Sequence, residues 1–496
     1  MSYRDLSRTG RALGLALLAA TSLTAVAQAA DLKIGLGVAT IANLDPTGNV
    51  NLSQGNMQAL KQIFDTLVVY EDGAFVPSVA TEWTSSEDAK EWTFKLRDDV
   101  VFSDGSKLEA DDVVASAARL VENAGALAGI FKPLTLTAVG PHELKVTSET
   151  GQGALLGKLS MLGIAPSELV ATEDFGLKPV GSGPFIVSSF DPNTGVELDA
   201  NPNYWGGAPK IDGISFKLIS EQSARLTALE TGEIDLVWDV PEDQFARVSQ
   251  LPNIETTLQP TMSNVFVWFN SSRDVFAKPE VRRAFWKAVD YAGIVEALYP
   301  NTGTLMDGPL PADVFGASVQ TPYPYDPEAA KAELEAAGFD FSQPVRILMN
   351  NPTFLTFMQA VVAEWQKIGI DADVDLVEAA VGSKRVLELD WDMVAINVVT
   401  STGDADYNLG RLYTCAANRT GYCDEALDKL LAEAGSVADQ DKRIELYNEA
   451  GKIVWDQAVG MYPMTVTSIW AWNDKVDGVV PSPILKPSFK DVTIAE

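Results

Sequence analysis

One histidine and two cysteines are all that 496 residues offer to histidine- or thiol-based chemistry. A Ser-His-Asp or Cys-His nucleophile would have to use His142 as its base, and no motif flanks it. His142 stands between two alternating stretches in AVGPHELKV, where a hairpin tip is the natural reading. Cys415 and Cys423, in YTCAANRTGYC, lack the two further ligands a metal site would need nearby, and the pair reads as a disulfide clipping a short loop. Such a clip is worth less than the roughly 3 kcal/mol of a fifteen-residue loop. Basic residues are also scarce: 37 Lys and Arg face 68 Asp and Glu, for a formal charge of −31. A field of that sign repels nucleic acid and anionic lipid at long range. Among so many carboxylates a glycosidase-like pair carries no signal, so a secreted hydrolase using paired carboxylates stays as the alternative of a different class. No apolar run is long enough to span a bilayer stably.

Two glycine motifs are incomplete in the same way. IGLGVAT, from Ile34, lacks the third glycine of a dinucleotide fingerprint, and Asp45-Pro46 interrupts any helix that should follow. In KPVGSGPFIVSSF, Pro184 removes an N–H and no lysine stands where phosphates would need it. Gly181-Ser182-Gly183 therefore reads as a turn feeding a strand.

What is present begins with MSYRDLSRTGRALGLALLAATSLTAVAQAAD: a positive head, a short apolar middle and a small-residue cleavage site. Residues 1–29 read as a secretory signal peptide. The absence of cysteine at the cleavage point predicts no lipid anchor, so the expectation is a protein exported and released. The remainder is long enough for two or three domains. Period-two alternation of Trp92, Phe94 and Leu96 predicts a strand, and LEADDVVASAARLVENAG a helix. KPEVRRAFWKAVDYAGIVEALY keeps helical spacing from Pro279 onward. Asp326-Pro327 caps a helix that stops at Gly338. VRILMN, FLTFMQAVVAEWQKIG and IDADVDLVE then form a strand–helix–strand unit, which favours a parallel pair. Two more helices occupy about 424–434 and 439–457. Eleven tryptophans, with groups at Trp268-Phe269-Asn270 and Trp470-Ala471-Trp472, suit either cores or a site that wraps a mid-sized ligand.

Four blocks together resemble the family-5 extracellular solute-binding proteins, the peptide, dipeptide and oligopeptide receptors of bacterial ABC importers. They are ATEWTSSEDAKEWTFKLRDDVVFSDGSKLEADDVVAS; the Gly-x-Gly-Pro-Phe turn with NPNYWGGAPKIDGISFKLI; FNSSRDVFAKPEVRRAFWKAVDYAGIV; and YPYDPEAAKAELEAAGF. The resemblance implies an α/β, two-lobed periplasmic binding protein fold with mixed sheets, an inserted subdomain and a ligand cleft between lobes. By analogy lobe one takes 30–52, 177–260 and 476–496, the insert 53–176 and lobe two 261–475. It further implies a periplasmic monomer without cofactor or metal and without enzyme activity, closing on its ligand by hinge motion. The closed form would be handed to the transmembrane subunits of an ABC permease.

Peptide receptors of this family commonly grip the ligand's amino end with an aspartate after a strand of lobe two. Matching Gly403-Asp404-Ala405-Asp406 to the family's step puts Ser401 at that place, with Asp404 or Asp406 as substitutes if the loop shifts. A hydroxyl there forfeits a charge-assisted bond worth roughly 1.5–3 kcal/mol. The arginine that would take a dipeptide's carboxylate is also missing: PTFLTFMQA offers Phe354 and Phe357 instead. Two versions of the ligand follow. One is an oligopeptide added as a strand beside Val398 to Ser401; the other is a non-peptide solute, an oligosaccharide or opine-like metabolite stacked on aromatics. The residues expected to face the cleft are Asp45, Trp268, Asn270, Val399, Ser401, Asp404 and Tyr407.

Overall fold

The computed structural model describes residues 31–48, 54–125 and 127–495. The signal-peptide reading of residues 1–29 lies outside them. Among the described residues no helix is long and apolar enough to cross a membrane.

A twelve-stranded mixed sheet carries most of the chain. Its central pair is the long strand Ile254–Phe269 beside Met464–Asn473, antiparallel from Ile254↔Asn473 onward. On one side follow Met393–Val399, Val345–Met349 and Ala372–Leu376; on the other Leu236–Val237, Asp31–Leu36, Gly213–Leu218, Gly195–Ala200 and Phe185–Asp191. The crossing pair is irregular between Pro260 and Asn264, where Ile254–Phe269 passes from one lobe to the other. A bulge is a natural place for such a bend. A separate antiparallel sheet holds Ala80–Ser85, Glu91–Leu96, Glu143–Thr147 and Thr135–Gly140. His142 is in the turn joining the last two.

Buried side chains fall into separate clusters. Leu32, Ile34, Phe216, Trp238 and Trp470 belong to the core of lobe one. Leu67 to Ile164 form the core of the inserted subdomain. Met262 to Met464 form the core of lobe two. The helix Gln54–Ile63 packs Ala59, Leu60 and Ile63 into the same cluster as Leu32 and Ile34. The C-terminal tail straddles both lobes: Ile484 enters the lobe-two core, Phe489 and Val492 that of lobe one.

Local structure follows the sequence with one break. Val345–Met349 and Ala372–Leu376 pair in parallel across the helix Leu355–Lys367. Asp326 Oδ1 accepts from the Ala329 N–H at 2.8 Å and Gly338 ends that helix in the left-handed region. The single helix expected from Pro279 is two, Pro279–Lys287 and Tyr291–Leu298. Asp290 Oδ1 accepts from the Gly293 N–H at 2.9 Å and so starts a new helix, although Ala288 and Val289 stay buried.

The Gly181-Ser182-Gly183 turn holds lobe one to the end of the helix Gln54–Ile63. A Cβ on Gly181 would stand 2.0 Å from the Ile63 carbonyl oxygen, and the Gly183 N–H donates to that oxygen at 2.9 Å. Ser182 Oγ donates to Asp65 at 2.9 Å, as do Trp205 Nε1 at 2.9 Å and Tyr204 OH at 3.1 Å. Burial pushes the Asp65 carboxyl up from its usual range, and these donors pull against it. The turn, the NPNYW block and the helix end thus meet on one carboxylate.

Candidate ligand cleft

The strand Met393–Val399 has two neighbours over only part of its length. Val345–Met349 pairs with it at Met393, Val394 and Ala395 and stops. Beyond that, Ile396 to Val399 pair with Phe266 to Ser263 on one side only. No strand among the described residues covers the other edge, and side-chain exposure rises there, with Asn397 exposed and Val398 and Val399 half-buried. An uncovered strand end is a template for an extended chain.

The loop after this strand turns into the seam between lobe two and the insert. The Thr400 N–H donates to the Met262 carbonyl at 2.8 Å, and Asn408 Nδ2 to Thr400 Oγ1 at 2.8 Å. Gly403, at positive φ, lies under the ring of Tyr70 from the insert, so close that a Cβ would meet Tyr70 Cζ at 2.3 Å. Tyr407 enters the buried cluster of the insert, while Tyr70 packs against the core of lobe two. The two units exchange aromatic rings across the seam.

Beside that exchange lies a cavity of about 910 Å3 walled by both units. Lys90, Glu149 and Lys158 line it from the insert, and Asp406, Arg411 and Glu433 from lobe two. The volume lies in the range of small-molecule sites, and the mixed charges suit a ligand carrying both signs.

Seven residues were expected to face a cleft, and their places differ. Asp404 and Tyr407 line the large cavity. Asp404 is not free for a ligand amine: Arg443 Nη2 donates to it at 2.9 Å and both side chains are buried. Burial pushes its carboxyl up, opposed by the Arg443 charge. Asp406 is half-buried and accepts from Tyr447 OH at 3.3 Å. Val399 ends the open strand edge, and Ser401 is buried next to it with its hydroxyl 3.4 Å from the Val399 carbonyl. Asp45 lies apart in lobe one, partly exposed, accepting from the N–H and hydroxyl of Thr47 at 2.8 and 2.7 Å.

Trp268 and Asn270 require correction. Trp268 is 1% exposed inside the core of lobe two, its Nε1 donating to Tyr413 OH at 2.9 Å. Asn270 is buried and donates to the Leu389 and Trp391 carbonyls at 3.0 and 2.9 Å while accepting from Ser272. After the crossing every residue from Thr261 to Asn270 is buried, so the strand is covered on both faces and neither side chain reaches a cleft. Trp268→Ala is expected to cost about 3–5 kcal/mol of stability and to leave ligand affinity within twofold; denaturant melts and a binding titration check both. Phe354, Phe357, Trp470 and Trp472 are likewise buried in cores. The insert's contribution, Lys90, Glu149 and Lys158, was missed in the sequence. Lys90 and Glu149 come from separate bends and Lys158 from the short helix Leu155–Leu159, and only the small residues of TGQGALLG hint at a close approach there. The two cysteines are joined as a disulfide eight residues apart.

Two lobes joined by crossing strands, with an open strand edge in lobe two and a cavity between lobe two and the insert, define a solute-binding architecture. The chain belongs to the bacterial extracellular solute-binding proteins, family 5, whose model matches residues 74–420. It is 28% identical to a probable D,D-dipeptide-binding periplasmic protein of Escherichia coli K12, covering 97% of this chain and 98% of that one. It is also 28% identical to the dipeptide-binding protein of the same organism, over 87% and 89% of the two chains. In fold it is similar to the ABC transporter-associated periplasmic binding protein DppA of Helicobacter pylori in complex with the peptide STSA, with a TM-score of 0.84, 24% identity and coverage of 94% and 98%. These relatives are binding proteins and not enzymes.

Proposed function

We propose that the protein is the periplasmic solute-binding component of an ABC importer, capturing a peptide-type ligand between its lobes and delivering it to a membrane permease. The observation that carries the peptide class is the open edge at Ile396–Val399. A peptide laid there as a strand gains main-chain hydrogen bonds without needing any one side chain. The relatives named for dipeptides support the same class. Native mass spectrometry on protein purified gently from the periplasm tests it, and a ladder of released masses that fragments into amino acids is the expected result. A synthetic copy of one released peptide, N-methylated at a central amide, should bind at least about tenfold more weakly, because one strand hydrogen bond and its space are lost.

A second reading has its own observation. Asp404 is engaged by Arg443 and the Ser401 hydroxyl is turned to its own backbone, so of the groups expected near a peptide's amino end only Asp406, bonded to Tyr447 OH, has no charged partner among the described residues. A non-peptide solute, an oligosaccharide or opine-like metabolite, fits that arrangement. One discrete released mass without amino-acid fragments would select it.

A further inference from the structure

We propose that a small second cavity, between lobe one and the insert, is a binding site for an oxyanion, either the acid group of the transported solute or a free inorganic anion. The cavity is about 70 Å3. It is small beside the 910 Å3 cavity at the other seam, a space for one acid group or small ion rather than for a whole solute. Lys61 and Lys486 line it, with no acidic residue in its wall; the remainder is Thr66, Ser160 and apolar side chains such as Met57 and Phe64.

The lysines are held in place by backbone architecture. Lys61 is in the helix Gln54–Ile63. Gln62 of the same helix donates through Nε2 to the Pro487 carbonyl at 2.9 Å and accepts from the Phe489 N–H at 3.4 Å. These bonds fasten the tail across the helix, with Ile484 and Phe489 anchored in the cores of different lobes. Lys486 is thereby brought to the same cavity as Lys61 by a segment that cannot easily swing away.

Neither ammonium group has a hydrogen bond or ion pair with a described residue in the structure. Asp65 and Glu71 act on Lys61 only at a distance, and Asp65 is already committed to three donors. Lys486 feels the like charge of Lys61, and burial with that charge pushes it down to about 8. Two cations gathered around one cavity, in a chain with 68 acidic residues to choose from, leave a charge deficit that an anion removes. The tail also reaches the candidate cleft: the Met262 N–H donates to the Pro483 carbonyl, and Thr400 N–H to the Met262 carbonyl, each at 2.8 Å. A hydrogen-bonded path thus runs from the tail beside this cavity to the loop that carries Ser401. In its solute form the proposal rests on the binding-protein reading; in its inorganic form it does not.

The test uses the mature protein and its Lys61→Met and Lys486→Met variants. Melting is compared in acetate, inorganic phosphate and chloride at matched ionic strength. The wild type should melt several degrees higher in acetate or phosphate than in chloride, and both variants should lose the difference. Lys486→Met should melt above the wild type in chloride, a gain that removal of a merely structural lysine would not give. The peptide Ser-Thr-Ser-Ala, as free acid and as C-terminal amide, then separates the sources. A loss of at least about tenfold for the acid alone in Lys486→Met assigns the site to the solute's carboxylate, and unchanged affinities with the anion effect intact assign it to a free ion. If the anions act and neither peptide form binds, the oxyanion site stands and the peptide reading fails. If the anions are indistinguishable and both variants behave as wild type, the site is overturned, whatever the peptide does.

Discussion

Gly153→Val should lower ligand affinity by about tenfold to a hundredfold while the protein stays folded. Gly153, in the insert, donates its N–H to the Gly435 carbonyl of lobe two at 2.8 Å. A Cβ there would stand 1.9 Å from the Val437 carbonyl oxygen, so a valine must push the units apart. Gly151 beside it is equally tight, 1.9 Å from the Ser436 carbonyl. If the ligand is held by closure, overpacking of about 1–3 kcal/mol at this seam acts on the closed state alone, and the apparent affinity falls by the same factor. The readout is a tryptophan-fluorescence titration with whichever solute native mass spectrometry releases, beside a thermal melt. Gly140→Ala, where a Cβ meets nothing within 4 Å, is the control and should bind like wild type. An unchanged affinity in Gly153→Val would show that the seam does not take part in capture.

That seam marks the limit of what the sequence could reveal. The lobe-two unit Val345 to Leu376 was legible because period and length are properties of one contiguous segment. The Gly-x-Gly-Pro-Phe turn was legible as a structural turn, since a proline and the missing lysine exclude phosphate binding. Its partner, Asp65, was not: the contact spans 117 residues, and nothing local to Asp65 announces it. The break before Asp290 was missed because apolar spacing continues through it while a capping side chain ends the helix. Within the candidate site, Tyr407 and Asp404 were found from a family-like loop and Lys90, Glu149 and Lys158 were not, since a seam between distant segments has no period. Trp268 shows the opposite error. An aromatic after a lobe crossing has the chemistry of a ligand platform, but this strand is covered on both faces from Thr261 to Phe269, and the elements that cover it come from distant segments that composition does not reveal.

The two seams also differ in what they ask of the solute. The large cavity presents both charge signs, from Lys90, Lys158 and Arg411 and from Glu149, Asp406 and Glu433. The small one is lined by Lys61 and Lys486 with no acidic residue in its wall.

Arg443→Met should cost about 3–5 kcal/mol, the largest stability loss expected outside the cores, because it strands a buried carboxylate. Arg443 bridges Asp404 at 2.9 Å, the Ala434 carbonyl at 3.1 Å and Tyr447 OH at 3.2 Å, and stacks 4.9 Å from the Phe315 ring. Burial already pushes Asp404 up against the pull of this arginine, so losing it raises the carboxyl further. The sign of the pH effect follows. A carboxyl whose folded pKa lies above its unfolded value binds more protons in the native state, so stability falls as pH rises through that window. The variant should therefore approach wild-type stability near pH 4 and fall behind it steadily toward neutrality, in denaturant melts taken across that range. Adding Asp404→Asn should flatten the pH dependence and recover about 2 kcal/mol, as the stranded charge is removed. Ligand affinity measured on the single Asp404→Asn variant decides the role of this aspartate. Binding within a few-fold of wild type, with lowered stability, fits a strut that holds the loop against lobe two; loss of binding with an unchanged melt would make Asp404 the ligand's anchor despite its arginine.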